Sequence, residues 1–314
     1  MGRVLVTRRL PDGGLDPLAG HELIGPKPGD EPYTADELRK QARACDAFVC
    51  LLTDRIDAAV LEAGKGTLRV VANVAVGYDN IDVAAARALD IVVCNTPGVL
   101  DETTADLAFT LILGACRLAS DAEHDVRAGR WHGWGVTQYL GRDAHGATLG
   151  VVGFGRIGRA VARRAEGFNM RVLHHARTDT GLEGYVADLD AMLADADIVT
   201  LHVPGGAATH HLIDARRIGL MKPSSVLVNT ARGTVVDEAA LADALHDGSL
   251  FAAGLDVYER EPEIHPRLLS APRAVLLPHI GSASRATRTR MATMATEAVA
   301  AVLAGSVPPN IVRA

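Results

Sequence analysis

Cysteine is scarce in this chain of 314 residues, and the four present, Cys45, Cys50, Cys94 and Cys116, form no C-x-x-C pair. That pattern excludes a disulfide-stapled scaffold, argues against a structural metal, and fits buried thiols in a reducing compartment. A block of one charge sign is missing as well. Lys and Arg number 32 against 38 Asp and Glu, a net charge of −6, so the chain offers no basic stripe for nucleic acid. Long apolar runs are also absent: the richest, 107–119, is interrupted by Arg117 and preceded by Asp106, too short to span a bilayer. The first ten residues carry three arginines and lack the apolar core and small-residue cleavage site of a secretory signal. A cytoplasmic protein with a small diffusing substrate is expected, with no metal, membrane or nucleic acid partner.

What the chain does have is apolar content, 48% of residues, enough for a large core and nearer two domains than one. Short β-branched runs alternate with amphipathic stretches, the pattern of βαβ units and a mainly parallel sheet. In the first third the expected strands are 4–7, 47–52, 69–74 and 91–94, with helices at 34–44, opened by a Thr34 cap and Glu37, and at 82–88. A helical pattern over 101–118 leads into 120–146, a polar segment bearing Gly and Trp and showing no clear period. A second series then offers strands at 148–152, 170–174, 198–203, 225–229, 252–256 and 275–277, enough for a full dinucleotide-binding sheet. The last helix, 284–303, has no strand after it and is expected to return to the first domain. This divides the chain into 1–98 with 284–314, and 99–283.

Gly153-Phe154-Gly155-Arg156-Ile157-Gly158 follows the first strand of the second series directly and opens a helix at 159–166. In that setting the glycines serve a tight turn, backbone access for a pyrophosphate, and close helix packing, with the helix N-terminus facing the negative charge. The next strand ends His174-His175-Ala176-Arg177-Thr178. An acidic side chain there would accept from a ribose 2′-hydroxyl and repel a 2′-phosphate. Ala176 holds that position, and Arg177 with Thr178 offers a cation and a hydroxyl to a phosphate, so NADP(H) is the expected cofactor, with NAD(H) as the lesser one.

Three further segments follow strands of the second series at their carboxyl ends, where open α/β sheets gather ligands. They are Asn229-Thr230-Ala231-Arg232-Gly233, Asp256 to Glu261-Pro262, and Pro278-His279-Ile280-Gly281. Hydride transfer to a 2-keto acid needs a cation for carboxylate and carbonyl, a proton donor for the developing alkoxide, and a group that keeps the donor charged. Arginine, histidine and glutamate meet those needs.

With these segments, Ala72 to Asp82, Asn95 to Val99, Glu102 to Asp106 and Leu201 to Pro204, the chain resembles the D-isomer-specific 2-hydroxyacid dehydrogenases over nearly its whole length. Within that family it is most similar to the glyoxylate and hydroxypyruvate reductases. The resemblance implies two doubly wound parallel-sheet domains, a flavodoxin-like substrate domain and a Rossmann dinucleotide-binding domain, with an active-site cleft between them. It implies Arg232 as substrate-binding cation, His279 as proton donor, and Glu261 as its partner. Glu261 is preferred to Glu259 because it immediately precedes the proline. The backbone amides of Val76 and Gly77 would bind the substrate carboxylate, and Leu52 would line the pocket. Thr104, the loop 153–158, Ala176, Arg177, Thr178, Val203, Thr230, Ala231, Arg232, Asp256, His279 and Gly281 would line the cofactor.

In similar proteins the segment 120–146 forms an arm across a dimer partner, so a homodimer is implied, with Trp131 and Trp134 as interface or pocket residues. The pairs His174-His175 and His210-His211 are poor metal ligands: neighbours on a strand face opposite ways, and the second pair reads as a polar turn. Gly205-Gly206 has no functional reason in the sequence. A 2-ketogluconate or other 2-keto acid reductase would share every catalytic residue, and a dinucleotide-sensing binding protein like the dehydrogenase-shaped corepressors would share the fold.

Overall fold

The computed structural model describes residues 1–313 and resolves two compact units, Met1–Leu100 joined by the chain from Ser282 onward, and Asp101–Gly281. In the first unit β1 (Arg3–Val6), β2 (Glu22–Ile24), β3 (Ala47–Cys50), β4 (Val70–Asn73) and β5 (Val92–Cys94) form a parallel sheet in the order β2-β1-β3-β4-β5. That is the flavodoxin-like order. Helices α1 (Ala35–Ala42), α2 (Ala58–Ala63) and α3 (Val83–Ala88) connect the strands. The α1 start is a capping box: Glu37 N–H donates to Thr34 Oγ1 at 3.3 Å, and Thr34 N–H to Glu37 Oε2 at 2.7 Å.

The second unit opens with α4 (Asp101–Cys116) and α5 (Ala119–Arg127), then runs β6 (Thr148–Val152), α6 (Arg156–Glu166), β7 (Arg171–His175), α7 (Leu189–Asp195), β8 (Ile198–Leu201), α8 (Ala215–Ile218), β9 (Val226–Asn229), α9 (Glu238–Asp247), β10 (Ala252–Leu255), α10 (Pro266–Leu269) and β11 (Ala274–Leu276). The sheet is parallel in the order β11-β10-β9-β8-β6-β7. Beyond β7 the place of a further strand is held by a single parallel bridge between His174 and Tyr185. Counting that bridge as a strand reduced to one residue, the arrangement is the doubly wound dinucleotide-binding order.

Alternation along each strand divides the core in two. Val152, Val199, Leu201, Leu227 and Leu255 face a cluster with Met192, Leu193, Leu241 and Leu245. Leu149, Val151, Ile198, Val226 and Val228 face the other, with Phe109, Leu111, Ile112 and Val161. Gly254 allows α4 to lie close, since a Cβ there would be 2.8 Å from Leu111 Cβ.

The chain re-enters the first unit through α11 (Arg285–Leu303), capped by Ser284 Oγ, which accepts from Thr287 N–H at 3.1 Å. On that unit's sheet α11 buries Met291, Ala292, Ala295, Ala298 and Val299, and Thr296 Oγ1 donates to Gly14 O at 2.8 Å. No helix among the described residues is long and apolar enough to cross a membrane. All four cysteines are buried and free.

Several boundaries differ from the expected ones. The strand over 47–52 stops at Cys50 because Leu51 N–H leaves the ladder for Asp54 Oδ2 at 2.8 Å. The segment 120–146, read as irregular, begins with α5, which starts at Ala119 and buries none of its side chains. A helix without a buried face carries no apolar period.

Candidate active site

The glycine loop fits a bound pyrophosphate backbone. Gly153 has φ +93°, and a Cβ there would lie 2.7 Å from the His202 carbonyl carbon and 2.8 Å from Val203 N, so no side chain could occupy it. At Gly158 a Cβ would stand 2.2 Å from Gly153 O, whereas the position over Gly155 is open. This is a tight turn, an exposed approach and a close helix contact in succession, with α6 starting at Arg156 and Gly158 in its first turn. Phe154 stacks on the buried His174 ring at 3.8 Å between centroids, and His174 Nε2 lies 2.6 Å from Thr180 Oγ1. At the end of β7, Ala176 is half-buried while Arg177 and Thr178 are exposed. Arg156 pairs with Asp101 at 3.3 Å, Ile157 is half-buried, and Val203 follows β8.

After β9 the chain turns tightly on Asn229. Its Oδ1 accepts Ala231 N–H at 3.0 Å and its Nδ2 donates to Arg232 O at 2.9 Å. An asparagine bonding its own backbone two residues on is ordinary turn chemistry, and here it presents Arg232. The Arg232 Nη1 donates to Ala231 O at 2.8 Å. Thr230 Oγ1 is buried with no hydrogen-bond partner, a hydroxyl suited to a ligand. Gly205 now has a reason: a Cβ there would sit 2.9 Å from Arg232 Cγ.

The histidine turn is held by several buried bonds. His279 has φ +53°, a conformation that disfavours side chains and persists only when its surroundings impose it. Asp256, 1% exposed, imposes it: its carbonyl accepts His279 N–H at 2.9 Å, Oδ1 accepts Ile280 N–H at 2.7 Å, and Oδ2 accepts Gly281 N–H at 2.8 Å. Both carboxylate oxygens are therefore engaged by backbone, although burial pushes this carboxyl above its ordinary value. Thr104, in the first turn of α4, donates to Gly281 O at 3.3 Å and closes the turn.

Glu261 Oε2 lies 2.7 Å from His279 Nδ1, and Glu261 Oε1 accepts Tyr258 N–H at 3.0 Å. Burial works to raise the Glu261 carboxyl, but the hydrogen bond and charge of His279, the Tyr258 N–H and the Arg232 charge outweigh it and hold it below the ordinary value. Glu259 turns elsewhere, to His211 Nε2 at 3.2 Å and to Glu238 N–H at 2.9 Å. Two other imidazoles are poor proton donors: desolvation drives His202 down to about 3, and burial with Arg159 nearby lowers His174.

In the first unit, Val76 and Gly77 follow β4 in a loop held by asparagines. Asn95 Nδ2 donates to Val76 O at 2.7 Å and Asn73 Nδ2 to Gly77 O at 2.8 Å. Because trans peptides are planar, the N–H of Gly77 points away from Asn95. Leu52, half-buried, lies in the turn after β3. Asn73, Asn229, Tyr258 and Gly205 were not singled out as functional by sequence reasoning; only for Asn229, at a strand end before a turn, did a local signal exist.

A family model for the NAD binding domain of D-isomer specific 2-hydroxyacid dehydrogenases matches residues 109–281. The glyoxylate reductase of Korarchaeum cryptofilum is 47% identical, the match covering 99% of this chain and 95% of the relative. That of Thermococcus onnurineus is 42% identical with the same coverage. Among solved structures, a protein from Thermus thermophilus is similar at TM-score 0.93 and 45% identity over 99% of this chain and 100% of its own. An NADPH-dependent glyoxylate/hydroxypyruvate reductase of Sinorhizobium meliloti, in complex with NADP and malonate, is similar at TM-score 0.86 and 36% identity over 99% and 96%. With the family model spanning more than half the chain and such identity along nearly all of it, the chain belongs to the D-isomer specific 2-hydroxyacid dehydrogenases and is an enzyme dependent on a nicotinamide dinucleotide.

Proposed function

We propose that the chain reduces a small 2-keto acid, glyoxylate or hydroxypyruvate, to the D-2-hydroxy acid and prefers NADPH to NADH. The observation that carries the reaction is the Glu261–His279 pair at 2.7 Å through Nδ1. With Nδ1 engaged by a carboxylate, Nε2 is the nitrogen left to hold the transferable proton, so the tautomer question is decided by the partner. Glu261, held below its ordinary value by its surroundings, is the carboxylate that orients the ring through Nδ1. When bound, the reduced nicotinamide supplies a hydride to the 2-carbon. His279 Nε2 gives its proton to the carbonyl oxygen, and Arg232 binds the carboxylate and polarises the carbonyl. From the first unit, Leu52 and the amides of Val76 and Gly77 serve the substrate.

The NADPH preference rests on Arg177 and Thr178, exposed after β7, with Ala176 rather than an acid at the strand end and the Asp179 carboxylate accepting Gly181 N–H at 2.8 Å. It is supported by the likeness to the Sinorhizobium meliloti enzyme, which is NADPH-dependent. The glyoxylate reductases among the relatives support the substrate class. The free, buried cysteines suit a reducing compartment. The chain works as a homodimer: Trp131 is 52% and Trp134 84% exposed, with Val126, Val136 and Leu140 also exposed nearby, an apolar surface that a second copy would cover. Light scattering in solution tests this; a monomer at micromolar concentration contradicts it.

The deciding experiment is NADPH oxidation, followed by absorbance, with glyoxylate, hydroxypyruvate, pyruvate and 2-ketogluconate, repeated with NADH. Higher kcat/KM for glyoxylate or hydroxypyruvate with NADPH is expected. Higher efficiency with NADH overturns the cofactor reading, and no turnover of any keto acid overturns the reaction.

A further inference from the structure

The start of α9, which follows the Arg232 turn, and the loop carrying Glu261 are joined by a carboxylate that no motif singled out. Glu238, the first residue of α9, is 6% exposed. Its Oε1 accepts Glu259 N–H at 2.5 Å and its Oε2 accepts His265 N–H at 3.4 Å. These two amides bracket Glu261 along the chain. The bond is returned, because Glu259 Oε1 accepts Glu238 N–H at 2.9 Å while lying 3.2 Å from His211 Nε2. At the same place the backbones touch: a Cβ at Gly233 would lie 1.8 Å from the Tyr258 carbonyl carbon and 2.3 Å from Glu259 N. Only glycine permits that approach.

The Glu261 loop borders an open pocket of about 470 Å³ whose lining includes His211, Glu238, Glu259, Glu263 and His265. On that side it meets solvent rather than packed side chains, so directed bonds carry part of its positioning. Burying a carboxylate is costly unless it is hydrogen-bonded, and Glu238 uses its two oxygens on the amides either side of Glu261. Of the other carboxylates there, Glu259, the one nearest Glu261 in the chain, is committed to the start of α9 and to His211.

We propose that Glu238 is a positioning residue for hydride transfer: it fixes the Glu261 loop against the Arg232 turn and so sets the contact between Glu261 and His279. The proposal rests on the roles assigned above to Glu261 and His279. Glu238 touches neither substrate nor cofactor and acts only through Glu261.

The test is a double-mutant cycle on the full chain with Glu238→Ala, Glu238→Gln and Glu261→Gln, measuring kcat, KM for glyoxylate, and NADPH dissociation by fluorescence. Glu238→Ala should lower kcat roughly 10-fold to 100-fold, the scale of a small misplacement of a catalytic group, with KM and NADPH dissociation little changed. Glu238→Gln keeps one acceptor for Glu259 N–H and should recover part of the loss; it also keeps the test open if the alanine variant does not fold. In the Glu261→Gln background, Glu238→Ala should cost less than about twofold more, since residues acting through one another are not additive. Equal factors in both backgrounds, or no loss from either Glu238 variant, overturn the proposal. A fully active Glu261→Gln single variant overturns the Glu261 assignment instead, so the two failures are told apart.

Discussion

The turn after β11 and the loop after β7 end strands of one sheet, yet they are built in opposite ways. The first holds His279 in a left-handed conformation, with three backbone amides on Asp256 and a carboxylate on its ring nitrogen. The second leaves Arg177 and Thr178 exposed beside a half-buried Ala176. The contrast teaches what each task needs. In the function proposed above, proton transfer from His279 demands a fixed atom position, which a group over-determined by buried bonds supplies. The 2′-phosphate proposed for Arg177 asks less, because attraction by a cation is long-ranged and tolerant and a flexible side chain at the surface suffices.

Variants at the two places should therefore differ in size of effect and in what they change. His279→Ala should lower kcat about 10²-fold to 10⁴-fold with NADPH dissociation unchanged in a fluorescence titration; a variant retaining most of its turnover removes the comparison. Asp256→Asn replaces an acceptor by a donor facing a backbone amide. It should reduce kcat by roughly 10-fold to 100-fold and lower the melting temperature, because a buried bond to a charged group contributes about 1.5–3 kcal/mol. Unchanged melting and turnover would mean that the turn stands without its carboxylate. At the tolerant end, Arg177→Ala should weaken NADPH binding by only about 10-fold, the worth of one exposed charge-assisted contact, leaving NADH binding and kcat as they were. Equal weakening of both cofactors would show that Arg177 does not read the 2′-phosphate. The smallest effect is expected from Gly205→Ala, whose new Cβ would press on the flexible Arg232 Cγ. A rise in keto-acid KM of about threefold follows from a small shift of a binding group, and steady-state kinetics would detect it.

Much of this was legible beforehand, and the exceptions share causes. Strands such as β6 and β9 are buried along their whole length and read as short, largely apolar runs rich in valine. The edge strand β2 has three residues, two exposed and one half-buried, too short and too wet for a period. The further strand beyond β7 is one bridge at Tyr185, which no pattern could reveal. At the site, Arg232, Glu261 and His279 stand in recognisable motifs after strands. Asn73, Glu238 and Asn229 act on backbone amides or carbonyls, and an acid at a helix start looks like any other. Gly205 was unexplained because its contact, Arg232, becomes a neighbour only after folding.

The proposed reaction turns on the 2.7 Å contact between Glu261 and His279. Because the Glu261 carboxyl lies below its ordinary value of 4.5, the pair is complete above the unfolded-state value and is lost only as pH falls through the lowered one. The direct test is kcat/KM for glyoxylate reduction across pH in wild type and Glu261→Gln. Wild type should hold its efficiency on the acid side down to below the ordinary carboxylate value; Glu261→Gln should be less efficient and lack the acid limb. A Glu261→Gln profile that matches wild type in both efficiency and acid limb would contradict a role for Glu261 in the reaction.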